Sequence, residues 1–221
     1  MNARVKTTIT SLLFLIVCIA DIYAIIVENR NIEMIAKPLI TTSLVVLYLL
    51  SVKKPNFWYV SAVFFCFWGD VLLMFPKKFF VLGLATFLLA HVLYIVISSK
   101  FLSKVSPTKI LLHALPFLAI LGVLMYTIYP NLGALLIPVI VYGIVISVFG
   151  VVTFLVYTNE KSTANLWLFL GALTFILSDS ILALNKFYQS SEVLGISIMI
   201  TYIVAQYLIC KSMILRSAKN S

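Results

Sequence analysis

The sequence predicts an all-α fold, a polytopic membrane bundle of about eight transmembrane helices. Three observations lead there. Of 221 residues, 63% are hydrophobic and 10% charged, with a mean hydropathy of +1.14, whereas a soluble domain carries about 25% charged residues. A soluble fold of this size has too little interior to hide that much apolar surface, so the bilayer must act as solvent. The apolar residues also fall into runs of about 20, the length that crosses a hydrocarbon core as a helix. No alternating apolar and polar pattern appears, as a membrane barrel would need.

The predicted spans are 7–27, 38–52, 57–75, 79–98, 110–128, 132–157, 165–185 and 193–215. The first resembles a signal peptide behind Arg4 and Lys6. It is longer than a typical apolar leader core and no clear cleavage site follows, so it is read as a membrane helix. The second is short, and a start before Pro38 stays open. Pro55-Asn56 opens the third, Pro76-Lys77-Lys78 closes it, and Pro130-Asn131 separates the fifth from the sixth. Pro116 and Pro138 lie inside spans and are expected to kink them, which neighbouring helices make tolerable in lipid. No linker divides the chain, so residues 1–221 form a single integral membrane domain. The short connections predict antiparallel packing of consecutive helices.

The net charge of +9 reads as topology and headgroup contact rather than nucleic-acid binding. With eight crossings, one side collects Arg4, Lys6, Lys53, Lys54, Lys100, Lys104, Lys109, Lys161, Lys211, Arg216 and Lys219. The other receives only Arg30, Lys37, Lys77, Lys78 and Lys186. That bias puts both termini in the cytoplasm, with the cell membrane as the expected host. Cys18, Cys66 and Cys210 are widely spaced within apolar runs, which excludes a disulfide framework and any CxxC metal motif.

The informative residues are those that do not belong in lipid. A charge near the middle of a bilayer costs at least about 2.5–3.5 kcal/mol on insertion scales, so each one needs a reason. Asp21, Asp70, His91 and Asp179 lie inside apolar runs, and Lys37 stands at the predicted start of the second. Counting along the helices, Asp70 lies about one and a half turns, and Asp179 about two turns, before the non-cytoplasmic end. His91 enters about three turns from that face. Asp70, Asp179, His91 and Lys37 thus share the outer half of the bilayer and can converge on one polar cavity. His113, near a helix start, reads as interfacial.

Phe67-Trp68-Gly69-Asp70 and Ile176-Leu177-Ser178-Asp179 each place a small residue before an aspartate, on helices running the same way. The following helices carry His91 and Tyr94, then Tyr202 and Gln206, which suggests a faint repeat of helix pairs. Tyr142, Tyr202 and Gln206 either line a site or hold helices together by hydrogen bonds. An intramembrane aspartate can also merely cap a kink or pair with a lysine, and Lys37 can snorkel. Two carboxyl groups in one low-dielectric site cannot both ionise cheaply, leaving an acid beside a base, the equipment of general acid–base catalysis. Glycosidases use such a pair on an oxocarbenium-like state. No G-x-S-x-G or phosphate-binding loop is present. Two histidines cannot form a three-histidine zinc site, so no metal or cofactor is expected; a mixed aspartate–histidine set is the remaining metal option.

Several motifs resemble one family. Gly69-Asp70-Val71-Leu72-Leu73-Met74 resembles its GD-x-x-L-M helix, and Gly83, Phe87, His91 and Tyr94 its G-x3-F-x3-H-x2-Y helix. Gly171-Ala172 through Phe175 to Ser178-Asp179, continued by Ala183 and Phe187, resembles its GA-x2-F-x2-SD helix. Lys37-Pro38 resembles its KP pair, and Tyr202 and Gln206 its last helix. In order and spacing the chain is similar to the YhhN/TMEM86 family, the lysoplasmalogenase-like membrane proteins. The resemblance implies an eight-helix membrane hydrolase that cleaves the vinyl ether bond of a lysophospholipid-type substrate, lysoplasmalogen, to a fatty aldehyde and a glycerophospho-base. On that reading Asp70 and Asp179 are catalytic, and Lys37, His91, Tyr94, Tyr142, Ser178, Tyr202 and Gln206 bind substrate or tune the pair. The partners are that substrate and membrane lipid; the sequence indicates no oligomeric state. A proton-coupled transporter and a non-catalytic lipid-binding membrane protein are the alternatives. The transporter reading lacks a matched pair of broken helices.

Overall fold

A computed structural model describes residues 3–219, with side chains described from residue 5 to residue 218; Arg4 and Lys219, counted above toward the cytoplasmic side, have side chains outside the described ones. The chain is all α-helical, with no strand among the described residues. Eight helices follow one another: α1 (Ala3–Ile26), α2 (Arg30–Ser51), α3 (Phe57–Leu73), α4 (Pro76–Ser99), α5 (Pro107–Ile128), α6 (Leu136–Asn159), α7 (Thr163–Phe187) and α8 (Glu192–Lys219). Seven are long and apolar enough to cross a membrane; α3, with 17 residues, is shorter. Even so, α3 matches α2 end to end. Its first turn meets the last turn of α2, where the Asn56 amide donates to the Tyr48 hydroxyl (2.9 Å), and its last meets the first, where Arg30 donates to the Met74 carbonyl. The outer surface is apolar, with Ile16, Leu111, Val123 and Ile137 all more than 60% exposed, while Asp21, His91 and Gln206 are fully buried. This distribution is the inverse of a soluble domain and makes the chain an integral membrane protein.

Local chemistry sets the helix starts. An orphan backbone N–H near a helix start needs an acceptor, and a side-chain oxygen just before the helix supplies one. Asn29 accepts from the Asn31 and Ile32 amides, Asn56 from Tyr59, Ser106 from Lys109 and Ser162 from Asn165. Pro76 and Pro107 open α4 and α5, where their missing N–H costs nothing. Because of the Asn29 cap, α2 begins eight residues before the predicted boundary. Pro38 therefore lies inside it, and Lys37 stands about two turns in rather than at the start. Pro138 falls in the first turn of α6, where no helical hydrogen bond is lost, so the expected internal kink gives way to two short 3₁₀ turns ahead of it (Tyr129–Asn131 and Gly133–Leu135).

Packing closes a ring in the order α1, α2, α3, α4, α6, α7, α8 and back to α1. The pairs α3–α4 and α7–α8 are packed most closely. Glycine makes this possible: a Cβ at Gly69 would lie 2.4 Å from the Phe87 ring, and one at Gly171 would lie 2.7 Å from Ile209 Cγ1 and 3.1 Å from its backbone nitrogen. The rule that consecutive helices pack together fails once. Helix α5 leaves the ring and rests on α6 and α7, so α4 meets α6 directly. Only Phe117 and Ile128 of α5 are buried, as expected of a helix with lipid on most sides.

Candidate active site

A cavity of about 400 Å³ opens at the end of the bundle opposite the termini, between α1, α2, α3, α7 and α8. Its mouth carries Glu28 and Arg30, which are exposed, and the half-buried Glu33 and Lys37. Asp70, Ser178, Asp179 and Tyr202 line its interior among apolar side chains, including Leu73, Phe87, Leu182 and Met199. Of the nine residues singled out from the sequence, five reach this cavity: Lys37, Asp70, Ser178, Asp179 and Tyr202. The helical register does this. Asp70 and Asp179 each sit about one to two turns from the far end of a helix, on the face turned into the ring.

Each aspartate accepts a hydrogen bond from a tyrosine. The Tyr202 hydroxyl on α8 donates to Asp70 Oδ2 (2.8 Å), and the Tyr142 hydroxyl on α6 donates to Asp179 Oδ2. The surroundings of the two pairs differ. Behind Tyr202 a polar chain continues inward: Gln206 Nε2 donates to the Tyr202 hydroxyl (3.2 Å), and the Tyr94 hydroxyl donates to Gln206 Oε1 (3.2 Å). Every donor in the series points toward Asp70. Tyr94 and Gln206 are thus away from the cavity and hold Tyr202, which is the interhelical alternative the sequence left open for Gln206. Tyr142 has no such backing; its ring abuts His91, with centroids 5.6 Å apart.

His91 does not line the cavity. It is fully buried, neither ring nitrogen has a hydrogen-bond partner, and the rings of Tyr142, Phe149 and Phe175 surround it. Lys37 lines the mouth and pairs with Glu33 one turn earlier (2.5 Å). Ser178 reaches the cavity, but its hydroxyl is engaged with the Ile198 carbonyl (3.0 Å) and ties α7 to α8. His113 is satisfied locally by the Lys109 carbonyl (2.8 Å) and the Thr158 hydroxyl (3.1 Å).

Sequence reasoning missed part of the site. Arg30, Glu28 and Glu33 form the mouth but lay before the predicted start of the second helix; the Asn29 cap followed by charges was the available signal. Glu28 also has a positive φ of 51°, a strained conformation that the tight α1–α2 turn imposes. Asp21 was noted but not placed in the site. It is fully buried with both carboxyl oxygens unpartnered, one turn deeper on α1 than Ala24 and Ile25, which line the cavity. Among the described residues, no group of three or more His, Cys, Asp or Glu side chains could hold a metal ion.

The bundle and its inward-facing carboxylates define a class: a polytopic α-helical membrane protein with an internal cavity lined by two aspartates. The chain belongs to the YhhN family, whose model matches residues 32–213. It is 29% identical over 163 residues to a lysoplasmalogenase of Mycobacterium tuberculosis (strain CDC 1551 / Oshkosh), a stretch covering 72% of this chain and 60% of that one. The lysoplasmalogenase of Mycobacterium bovis matches equally. The rat (Rattus norvegicus) lysoplasmalogenase TMEM86B is 31% identical over 144 residues, covering 65% of this chain and 56% of its own. The chain thus spans less than two thirds of the length of these curated relatives. No solved structure matches it significantly.

Proposed function

We propose that the cavity hydrolyses the vinyl ether bond of a lysoplasmalogen, releasing a fatty aldehyde and a glycerophospho-base. The observation that carries this reading is that Asp70 and Asp179 line one cavity and each accepts a tyrosine hydroxyl. The names of the mycobacterial and rat relatives support the substrate class.

The chemistry needs one acid and one base. A carboxylic acid protonates the chain-side carbon of the C=C–O unit, giving an oxocarbenium ion. Water adds to the carbon bearing oxygen as the second carboxylate takes its proton. The resulting hemiacetal collapses to aldehyde and glycerol hydroxyl, so the net reaction consumes one water. Nothing in it calls for a metal or a redox cofactor. Positioned acid–base groups contribute about 10²–10⁴-fold each. The tyrosine hydroxyls orient the carboxyl groups, and Arg30 and Lys37 at the mouth suit a phosphate. The excess of basic residues on the terminal side supports an orientation with both termini in the cytoplasm.

The test is purified protein with a 1-alkenyl lysophospholipid, reading free aldehyde by mass spectrometry. Aldehyde from the wild type and none from Asp70→Asn or Asp179→Asn is expected; a folded wild type that releases none overturns the reading.

A further inference from the structure

Asp179 borders two openings. Besides the cavity described above it lines a small recess, about 50 Å³, between α5, α6 and α7. It is the one residue common to both. The recess continues into an apolar groove of about 410 Å³ between α5 and α7, with which it shares Ile120, Leu124 and Ser180. Val123, 70% exposed, stands on the groove's outer edge, so it opens to the surroundings of the bundle, which are lipid. The few hydroxyls along this route offer little polarity to a ligand: Ser180 donates to the Ile176 carbonyl (2.7 Å) and Ser147 to the Gly143 carbonyl (2.7 Å) within their own helices. Small side chains at Ala119, Ser180 and Ala183 leave the space open. Helix α5, which forms one wall, is the least covered of the bundle and has the fewest contacts to break if it must yield.

We propose that this recess and groove are the hydrocarbon-chain subsite: the single chain of an ether lysophospholipid passes Asp179 and lies between α5 and α7, while its polar end stays in the cavity. This rests on the vinyl ether reading above. In such a substrate the reacting unit lies where the polar glycerol part joins the chain. A carboxyl group that acts there must have polar space on one side and apolar space on the other. Asp179 stands between the cavity, with its charged mouth, and the recess that leads into the groove, whereas Asp70 lines the cavity alone. The same placement sets Asp179 nearest the chain-side carbon, the one that takes the proton, and leaves Asp70 to activate water.

Two measurements test the subsite. The first compares kcat/KM for long-chain and short-chain 1-alkenyl substrates (about 16 and about 6 carbons) in Ser180→Leu and Ile120→Trp, which fill the groove from α7 and α5. Each buried methylene carries an appreciable part of chain affinity, so the long-to-short ratio should fall at least about tenfold. Leu118→Trp, on the exposed part of α5 outside the groove, should leave the ratio at its wild-type value. An unchanged ratio in both groove variants overturns the proposal. The second measurement uses no turnover: a non-hydrolysable alkyl-ether lysophospholipid with a diazirine at the chain end is photolysed on the wild type. Labelling within 119–127 and 180–184, competed by excess unlabelled alkyl-ether lysophospholipid, is expected. Labelling elsewhere, or labelling that competition does not reduce, overturns it. A wild type without vinyl ether hydrolysis whose label still maps to the groove would reject the reaction and keep the chain subsite; hydrolysis with the label elsewhere would do the reverse.

Discussion

The two aspartates look alike in sequence and are held quite differently. Asp70 is 5% exposed and sits at the end of a series in which Tyr94, Gln206 and Tyr202 each donate toward it. Asp179 is half-buried, is held by Tyr142 alone and faces both the cavity and the recess that leads into the apolar groove. One region is a fixed polar network and the other is a junction between two kinds of space. Buried networks are costly when partly dismantled, because each freed polar group loses its partner without regaining water. A junction can lose one hydrogen bond at little structural cost. The comparison therefore predicts that damage near Asp70 appears in stability as well as rate, and damage near Asp179 mainly in rate.

The largest effect is expected from the carboxyl groups themselves. Asp70→Asn and Asp179→Asn should each reduce turnover by about 10²–10⁴-fold, with the fold retained by circular dichroism. Comparable activity in either variant would break the pairing. Next come the tyrosines. Tyr202→Phe strands Gln206 and should lower stability by about 1–3 kcal/mol as well as activity. Tyr142→Phe should reduce kcat about tenfold or more with a smaller change in melting temperature. Equal stability losses would remove the distinction between the two regions. Gln206→Leu should cost less, a few-fold in rate, while leaving Tyr202 and Tyr94 each short of one partner; thermal melting beside kinetics reads both. Replacing Lys37 by Met should raise KM several-fold and spare kcat if Lys37 serves the headgroup. The smallest effect belongs to Asp21, whose carboxyl oxygens have no partner: Asp21→Asn should keep activity within about twofold and the melting temperature at or above the wild type, because an unpaired buried carboxylate is costly.

The bundle was readable in the sequence because lipid demands long apolar runs, and 63% hydrophobic content leaves few other solutions. The errors fell where polar chemistry sets a boundary. Arg30, Glu33 and Lys37 dilute the apolar signal at the start of α2, so the apolar run began at Pro38 with an earlier start left open, and the Asn29 cap sets that start at Arg30. The exclusion of α5 from the ring had no signal, since a helix facing lipid and one facing other helices are both apolar. For the site, an ionisable residue in an apolar run announces itself by its cost, and that brought Asp70, Asp179 and Lys37 forward. Which way each residue faces depends on partners far along the chain. His91 is walled off by Phe149 and Phe175, and Asp70 meets a tyrosine 132 residues later. Arg30 and Glu33 gave no such cost signal because they lie at the mouth.

In the proposed reaction one cavity aspartate protonates an alkene carbon while its partner activates water. The most direct measurement is hydrolysis of a 1-alkenyl lysophospholipid in D₂O, with the aldehyde examined by mass spectrometry beside both aspartate variants. The wild type should form an aldehyde carrying one deuterium on the carbon next to the carbonyl, and neither Asp70→Asn nor Asp179→Asn should form it. An aldehyde without deuterium at that carbon, or continued turnover in either variant, would contradict that reaction.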